Sequence, residues 1–253
     1  FIENNLARER NRGYNNFQEL EDRRNLLTVS WGDDLSPIAG ADFVIEAIIE
    51  NLEVKQKLLK MVELTVTENA VIATNTSAIL PSDIGANLNR KNRFCAMHFF
   101  NHPHQLMDLV EIAGTADTDK KTLMKTLALT KAMNKTPVVA DKECAGLIVN
   151  RIVTRYIMDG LYYLGRTVVD PWELDYAFEK HGMAMGPFKM LDLIGFDTGV
   201  HVMRVMGGYY KDLPTHKLEV MNLARHKNLL GEKTGQGFYI WKHGKAVAPN
   251  RKI

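Results

Sequence analysis

The sequence predicts an α/β fold with a largely parallel sheet, followed by an all-helical domain. Two observations carry this. From Ala41 to about Asp141, short apolar runs alternate with stretches of helical periodicity, the pattern of strands joined by crossover helices. After that the short β-branched runs stop and long apolar helical stretches take over. We place the boundary near residues 141–146, giving a first domain over 1–143 and a second over 144–253.

Each element has its own reason. Residues 1–30 are polar with scattered Leu6, Phe17, Leu20, Leu26 and Leu27, which fits a surface helix or helical hairpin. "ADFVIEAII" is short, β-branched and mostly apolar, so it reads as a buried strand. In "NLEVKQKLLKMVELTV", Leu52, Leu58, Leu59 and Val62 recur near helical spacing, so an amphipathic helix follows. "NAVIATNTS" is a second strand running into a polar turn, "ILPSDIGANL" a short helix and "RFCAMHFF" a third strand. "LMDLVEIAG" is a fourth strand, "DKKTLMKTLALTKAMN" a helix and "KTPVVADK" a fifth strand. In the second domain "GLIVNRIVTRYIMDGLYYLG" reads as a long apolar helix. In "DPWELDYAFEKHG", Asp170, Pro171 and Glu173 form a capping-box pattern. "GPFKMLDLIGFDTGVHVMRVMGGYY" and "LPTHKLEVMNLARHKNLLG" continue as helices.

Composition excludes several classes. The 253 residues are 45% hydrophobic and 25% charged, enough apolar mass for a packed core. With 32 basic and 30 acidic side chains the net charge is +2, so bulk charge gives no case for nucleic acid or an anionic membrane. Two cysteines, Cys95 and Cys144, cannot form a disulfide framework or a four-ligand zinc site; both are expected reduced, as in cytoplasm or an organelle matrix. No run approaches the roughly 18 residues of a membrane span, and the polar start is no signal peptide.

The densest chemistry lies in "CAMHFFNHPHQLMDLVEI", with His98, His102, His104 and Glu111. Catalytic zinc wants three fixed ligands around an open position. Only Pro103 shapes the loop here, so we expect no metal and read His102 and His104 as loop residues. His98 differs, because it ends an expected buried strand, the edge where open parallel sheets bind ligands. A histidine there can accept a proton, and Glu111 on the next strand is the candidate partner. "TNTSAI" ends the second strand in hydroxyl and amide groups, and Asn150 sits inside an apolar helix, where it must find a hydrogen-bond partner or a ligand.

Taken with "DFVIEAIIENLEVKQKL", "ATNTSAI", "HFFN", "LVEI", "KTPVV", "GLIVNR", "GMAMGPFKMLDLIGFDTG" and "GEKTGQGFYIW", in this order, the chain resembles the NAD-dependent L-3-hydroxyacyl-CoA dehydrogenases of fatty acid β-oxidation. The likeness runs from about residue 40 to about residue 240. It implies a Rossmann-like doubly wound sheet, NAD as cofactor, an acyl-CoA substrate, and a homodimer or a place in a multifunctional β-oxidation enzyme. It implies His98 as catalytic base and Glu111 as its partner, with Ser77 and Asn150 on the substrate. Glu50, Lys55, Asn101 and Lys233 then contact the dinucleotide, with Ser77 close to it.

The sequence also departs from the family pattern. The glycine-rich turn of the first β-α-β unit is missing; Gly235 and Gly237 are the only close glycines in a suggestive place, and they lie near the wrong end and before an expected strand rather than a helix. We therefore expect these residues to be part of a longer polypeptide, preceded by a central strand, with an upstream enoyl-CoA hydratase domain fitting the resemblance and "KHGKAVAPN" leading onward to a further helical domain. His102 is an extra residue in the loop before Pro103, which bears on how Glu111 reaches His98. Ala145 stands where the family usually has proline, which frees the chain at the domain junction. Two other readings stay open: a non-catalytic binding or structural member of the family, and a β-hydroxyacid dehydrogenase that uses a lysine in the helical domain.

Overall fold

A computed structural model describes residues 18, 22, 24–101, 107–164, 170–212 and 227–251. The five expected strands are present: β1 (Phe43–Glu46), β2 (Val71–Thr74), β3 (Phe94–Phe99), β4 (Leu109–Gly114) and β5 (Thr136–Ala140). They form one sheet in the order β1-β2-β3-β4-β5. All pairs are parallel except β3 and β4, which run antiparallel. Helices α1 (Leu52–Thr65), α2 (Pro81–Ile84) and α3 (Lys120–Ala132) connect them. Asn51 and Asp119 cap α1 and α3 by accepting the Val54 and Thr122 N–H groups.

Side-chain alternation divides the core into two layers. Ile72 and Phe94 face Leu59 and Val62 of α1. Val71, Ala73, Cys95, Met97, Val110 and Ile112 face Leu123 and Leu127 of α3. The period of two in a strand sends neighbours to opposite sides, so His98 and Glu111 share the face of Ala96 and Ala113, where Leu147 packs. One expectation needs correction. "ADFVIEAII" forms only a four-residue strand at the sheet edge, not a buried one, and Ile45, Ile48 and Ile49 are exposed. A strand paired on one side only leaves part of its surface uncovered.

The second domain contains α4 (Val149–Leu164), α5 (Pro171–Lys180), α6 (Pro187–Ile194) and α7 (Phe196–Tyr209). The Asp170–Glu173 capping box is formed. The domain is not all helix, however. It ends in a hairpin of β6 (Tyr239–Lys242) and β7 (Lys245–Pro249), in which Tyr239 and Trp241 alternate with exposed Ile240 and Lys242, a period of two. Ile157, Met158, Leu161, Phe188, Leu191, Phe196 and Phe238 form its core. The helices expected over 1–30 and 213–231 lie mostly outside the described residues, although Gln18, Asp22, Arg24 and Asn25 are helical.

Buried acids tie this domain together. Asp175 of α5 caps α6, accepting from the N–H groups of Phe188 (2.9 Å) and Lys189 (2.8 Å) and from the Tyr239 hydroxyl (2.7 Å). Asp192 of α6 accepts from the N–H groups of Phe238 and Tyr239 and from the Trp241 indole, each at 2.8 Å. The close fit requires glycine: a Cβ on Gly237 would sit 2.1 Å from Asp192 Oδ1, and one on Gly231 2.1 Å from the Asp192 carbonyl oxygen. Gly237 is therefore a packing residue and cannot also cradle a phosphate. Burial pushes the Asp192 carboxyl up to about 6, against the Trp241, Tyr239 and Phe238 bonds that lower it.

Gly231→Ala combines a backbone clash with a φ of +93°, and urea unfolding should show a loss of about 3 kcal/mol or more. Gly244→Ala carries left-handed strain with its nearest neighbour at 3.4 Å, and should lose only about 1–2 kcal/mol. Because the Asp192 pKa is raised on folding, its contribution to stability is complete below about pH 4 and is lost as pH rises through about 6,. Over that window the loss is about 3 kcal/mol. In Asp192→Asn this component of the pH dependence should vanish when unfolding free energies at the two ends are compared.

Candidate active site

The carboxyl ends of β1, β2 and β3 and the start of β4 lie on one edge of the sheet. Antiparallel pairing sets His98 directly opposite Glu111. His98 Nδ1 lies 2.8 Å from Glu111 Oε2, and both side chains are buried. A carboxylate only accepts, so Nδ1 carries the proton and Nε2 is left as an acceptor. The Phe100 ring packs against the imidazole at 4.6 Å. The antiparallel pairing of β3 with β4, which the local sequence pattern does not encode, brings the two groups together. The extra residue His102, with Pro103 and His104, lies outside the described residues.

Glu111 is also held from the second domain. Its Oε1 accepts the N–H groups of Ile148 (2.9 Å) and Val149 (2.8 Å) at the start of α4. One residue on, Asn150 Nδ2 donates to the Ser77 carbonyl at 2.7 Å. The expected partner of this asparagine is thus the loop after β2. Gly146 N–H donates to the Ala78 carbonyl (3.2 Å), and Ser82 N–H donates to Glu143 Oε2 (2.7 Å). Ala145, in the position where proline was expected, is buried, and its carbonyl accepts from the Tyr210 hydroxyl at 3.0 Å.

Glu50 organises the same loop. Its Oε1 accepts from the Thr76 hydroxyl (2.6 Å) and from the N–H groups of Ser77 (2.9 Å) and Ala78 (3.0 Å). Burial works against its charge, but Thr76, Lys55 and the two N–H groups outweigh it and hold the carboxyl below its ordinary value. Lys55 is fully buried, with Nζ 2.7 Å from Glu46 and 3.3 Å from Glu50. A buried ammonium needs such partners, so Lys55 reaches the site through Glu50. Ser77 is half-buried, and Asn101 is exposed just beyond β3. Lys233 is exposed and pairs with Asp197 at the start of α7. Among the described residues no hydrogen bond links it to the His98–Glu50 cluster.

Sequence reasoning missed Glu46, Asn75 and Thr76. Glu46 holds Lys55 and accepts from the Thr74 hydroxyl at 2.6 Å. Asn75 Oδ1 accepts the Phe99 N–H at 2.7 Å and clips the ends of β2 and β3 together. A charged residue inside "FVIEAI" was the available signal for Glu46. Among the described residues no cluster of His, Cys, Asp and Glu could hold a metal ion, and no helix is long and apolar enough to cross a membrane.

The edge gathers a partly exposed carboxylate at Glu50, the Ser77 turn and the His98 acceptor. No glycine-rich phosphate cradle is found among the described residues.

Comparison with known proteins gives this geometry its setting. Residues 1–144 match the family model for the 3-hydroxyacyl-CoA dehydrogenase NAD binding domain, and residues 146–241 match the model for its C-terminal domain. The fatty acid oxidation complex subunit alpha of Pseudomonas aeruginosa is 37% identical over 225 residues. That match takes in 88% of this chain and 30% of the relative, so the chain spans under a third of the curated relatives it matches. The structure of 3-hydroxybutyryl-CoA dehydrogenase from Escherichia coli K12 is similar, with a TM-score of 0.85 at 30% identity over 97% of this chain and 52% of that one. (S)-3-hydroxybutyryl-CoA dehydrogenase PaaH1 from Ralstonia eutropha gives 0.77 at 32% identity, covering 89% and 83%. With both family models matched in order and together spanning nearly all of its length, the chain belongs to the 3-hydroxyacyl-CoA dehydrogenase family.

Proposed function

We propose that the protein oxidises the C3 hydroxyl of an L-3-hydroxyacyl-CoA to the 3-oxo group in fatty acid oxidation, with NAD as hydride acceptor and His98 as general base. The buried 2.8 Å pair of His98 and Glu111 carries this reading. With Nδ1 engaged by Glu111, Nε2 is the atom that takes the hydroxyl proton. The imidazolium that forms is stabilised by the Glu111 carboxylate in a water-poor setting, where such a charge counts for more than in water. Ser77 and Asn150, joined by their own hydrogen bond, orient the substrate oxygen. Glu50 and Asn101 hold the dinucleotide, Lys55 keeps Glu50 in place, and Lys233 reaches the dinucleotide from the second domain. Acceptance of the hydride that leaves C3 is the chemistry NAD would supply when bound.

The relatives named as fatty acid oxidation complex subunits support a place for this chain in such a complex. A homodimer is the other arrangement, and the exposed Ile152, Tyr162 and Tyr163 of α4 supply an apolar face for it. The second functional reading is a non-catalytic structural or binding member of the family, and it draws on the lack of a phosphate cradle among the described residues. NADH formation from a 3-hydroxyacyl-CoA separates the two. Activity is expected, and His98→Gln should lower kcat by about 10²–10⁴-fold, the usual worth of a general base, with KM within a few-fold. Activity that survives the substitution would refute the assigned base. A folded protein that binds neither NAD nor acyl-CoA in calorimetry would favour the structural reading.

A further inference from the structure

Glu111 is a strand partner of His98, but two of its three hydrogen bonds come from outside the sheet. Oε1 takes the N–H groups of Ile148 and Val149, and Oε2 takes His98 Nδ1. Two successive N–H groups can aim at one oxygen here because the chain turns sharply just before them. Gly146 has φ +76° and Leu147 φ +48°, so both are left-handed. For leucine that conformation costs about 1–2 kcal/mol, and it persists only where the surroundings over-determine it.

They do so on several sides. The Leu147 side chain is 2% exposed and packs on Ala96 and Ala113. Those residues lie two positions from His98 and Glu111 on the same face of the sheet. The Leu147 carbonyl accepts from Cys144 Sγ at 3.2 Å. Gly146 donates to the Ala78 carbonyl, and a Cβ on it would come within 2.7 Å of Met206 Cε.

A carboxylate has one negative charge to share between its oxygens. Donors at a helix start draw that charge toward the oxygen they face. What remains on Oε2 sets the strength of the bond from His98 Nδ1–H, and through the ring the readiness of Nε2 to take a proton. We infer that Leu147, Ile148 and Val149 are positioning residues for the general base. The left-handed turn delivers the first N–H groups of α4 to Glu111, fixes its side chain, and sets the charge it offers to His98. The importance of this for catalysis rests on the proposed function, but the coupling itself does not. The base is then complete only when the second domain is docked on the sheet.

NMR of the free protein tests this without substrate or NAD. Val149→Pro removes one donor at the first helical position, where proline is well tolerated. Val149→Ala keeps the N–H. The Nδ1 proton of His98 should move downfield in Val149→Pro and stay in place in Val149→Ala. A folded Val149→Pro protein with that proton unmoved overturns the inference. Glu111→Gln gives a second reading should the proline variant fail to fold: the amide protons of Ile148 and Val149 should move upfield as a neutral acceptor replaces the ionic one. If both stay put, the inference also fails. An inactive protein that shows the expected shifts would sink the dehydrogenase reading and leave the coupling standing.

Discussion

The carboxylate of Glu111 is the contact on which the rest of the molecule turns. It is 1% exposed, and charge at that depth persists only when several donors surround it. One donor is the imidazole across the ladder, and two are main-chain N–H groups of the next domain. A single buried charge thereby joins the His98 imidazole, the sheet and the first helix of the second domain. Loss of any one donor leaves the others facing an under-neutralised acid.

The same device recurs through the fold. Glu50 takes the N–H groups of Ser77 and Ala78, and Glu63 those of Asn89 and Arg90. Asp175 takes those of Phe188 and Lys189, and Asp192 those of Phe238 and Tyr239. In each case one acid receives two consecutive backbone donors from another segment, and all of these acids but Glu50, which lies between β1 and α1, sit on a regular element. Charge-assisted bonds of this kind are roughly twice as strong as neutral ones, and they fix one segment of the chain against another. The loop carrying Ser77 and the turn into α4 are both held in this way.

Much of this was legible in the sequence, and the rest has identifiable reasons. The strands were readable because their apolar runs are short and bounded by polar turns. Alternation along β3 and β4 puts His98 and Glu111 on one face only once the antiparallel register is known, and register is a long-range property that the local pattern does not encode. The buried acids left a trace, since Glu46, Glu111 and Asp192 each interrupt an apolar run, in "FVIEA", "LVEIA" and "MLDLI". Their partners left none, because a backbone N–H looks the same in every sequence. Lys55 was expected to contact the dinucleotide, whereas its observed contacts are Glu46, Glu50 and the Ile48 carbonyl. A strand after Gly237 was expected and is β6 (Tyr239–Lys242), whereas its antiparallel partner β7 was not.

The order of strands in the sheet has a consequence for how the chain is assembled. Among the described strands of this sheet, each one after β1 pairs with the one made just before it. Pairings between near neighbours carry a small loop-closure entropy and favour rapid formation. The sheet can therefore grow strand by strand as the polypeptide emerges. The clasp on Glu111 spans 37 and 38 residues to Ile148 and Val149 and must close after β4 and β5 are in place. By that ordering, an unfinished chain already has its histidine and glutamate face to face, while the contacts that complete the pair arrive with the following helix.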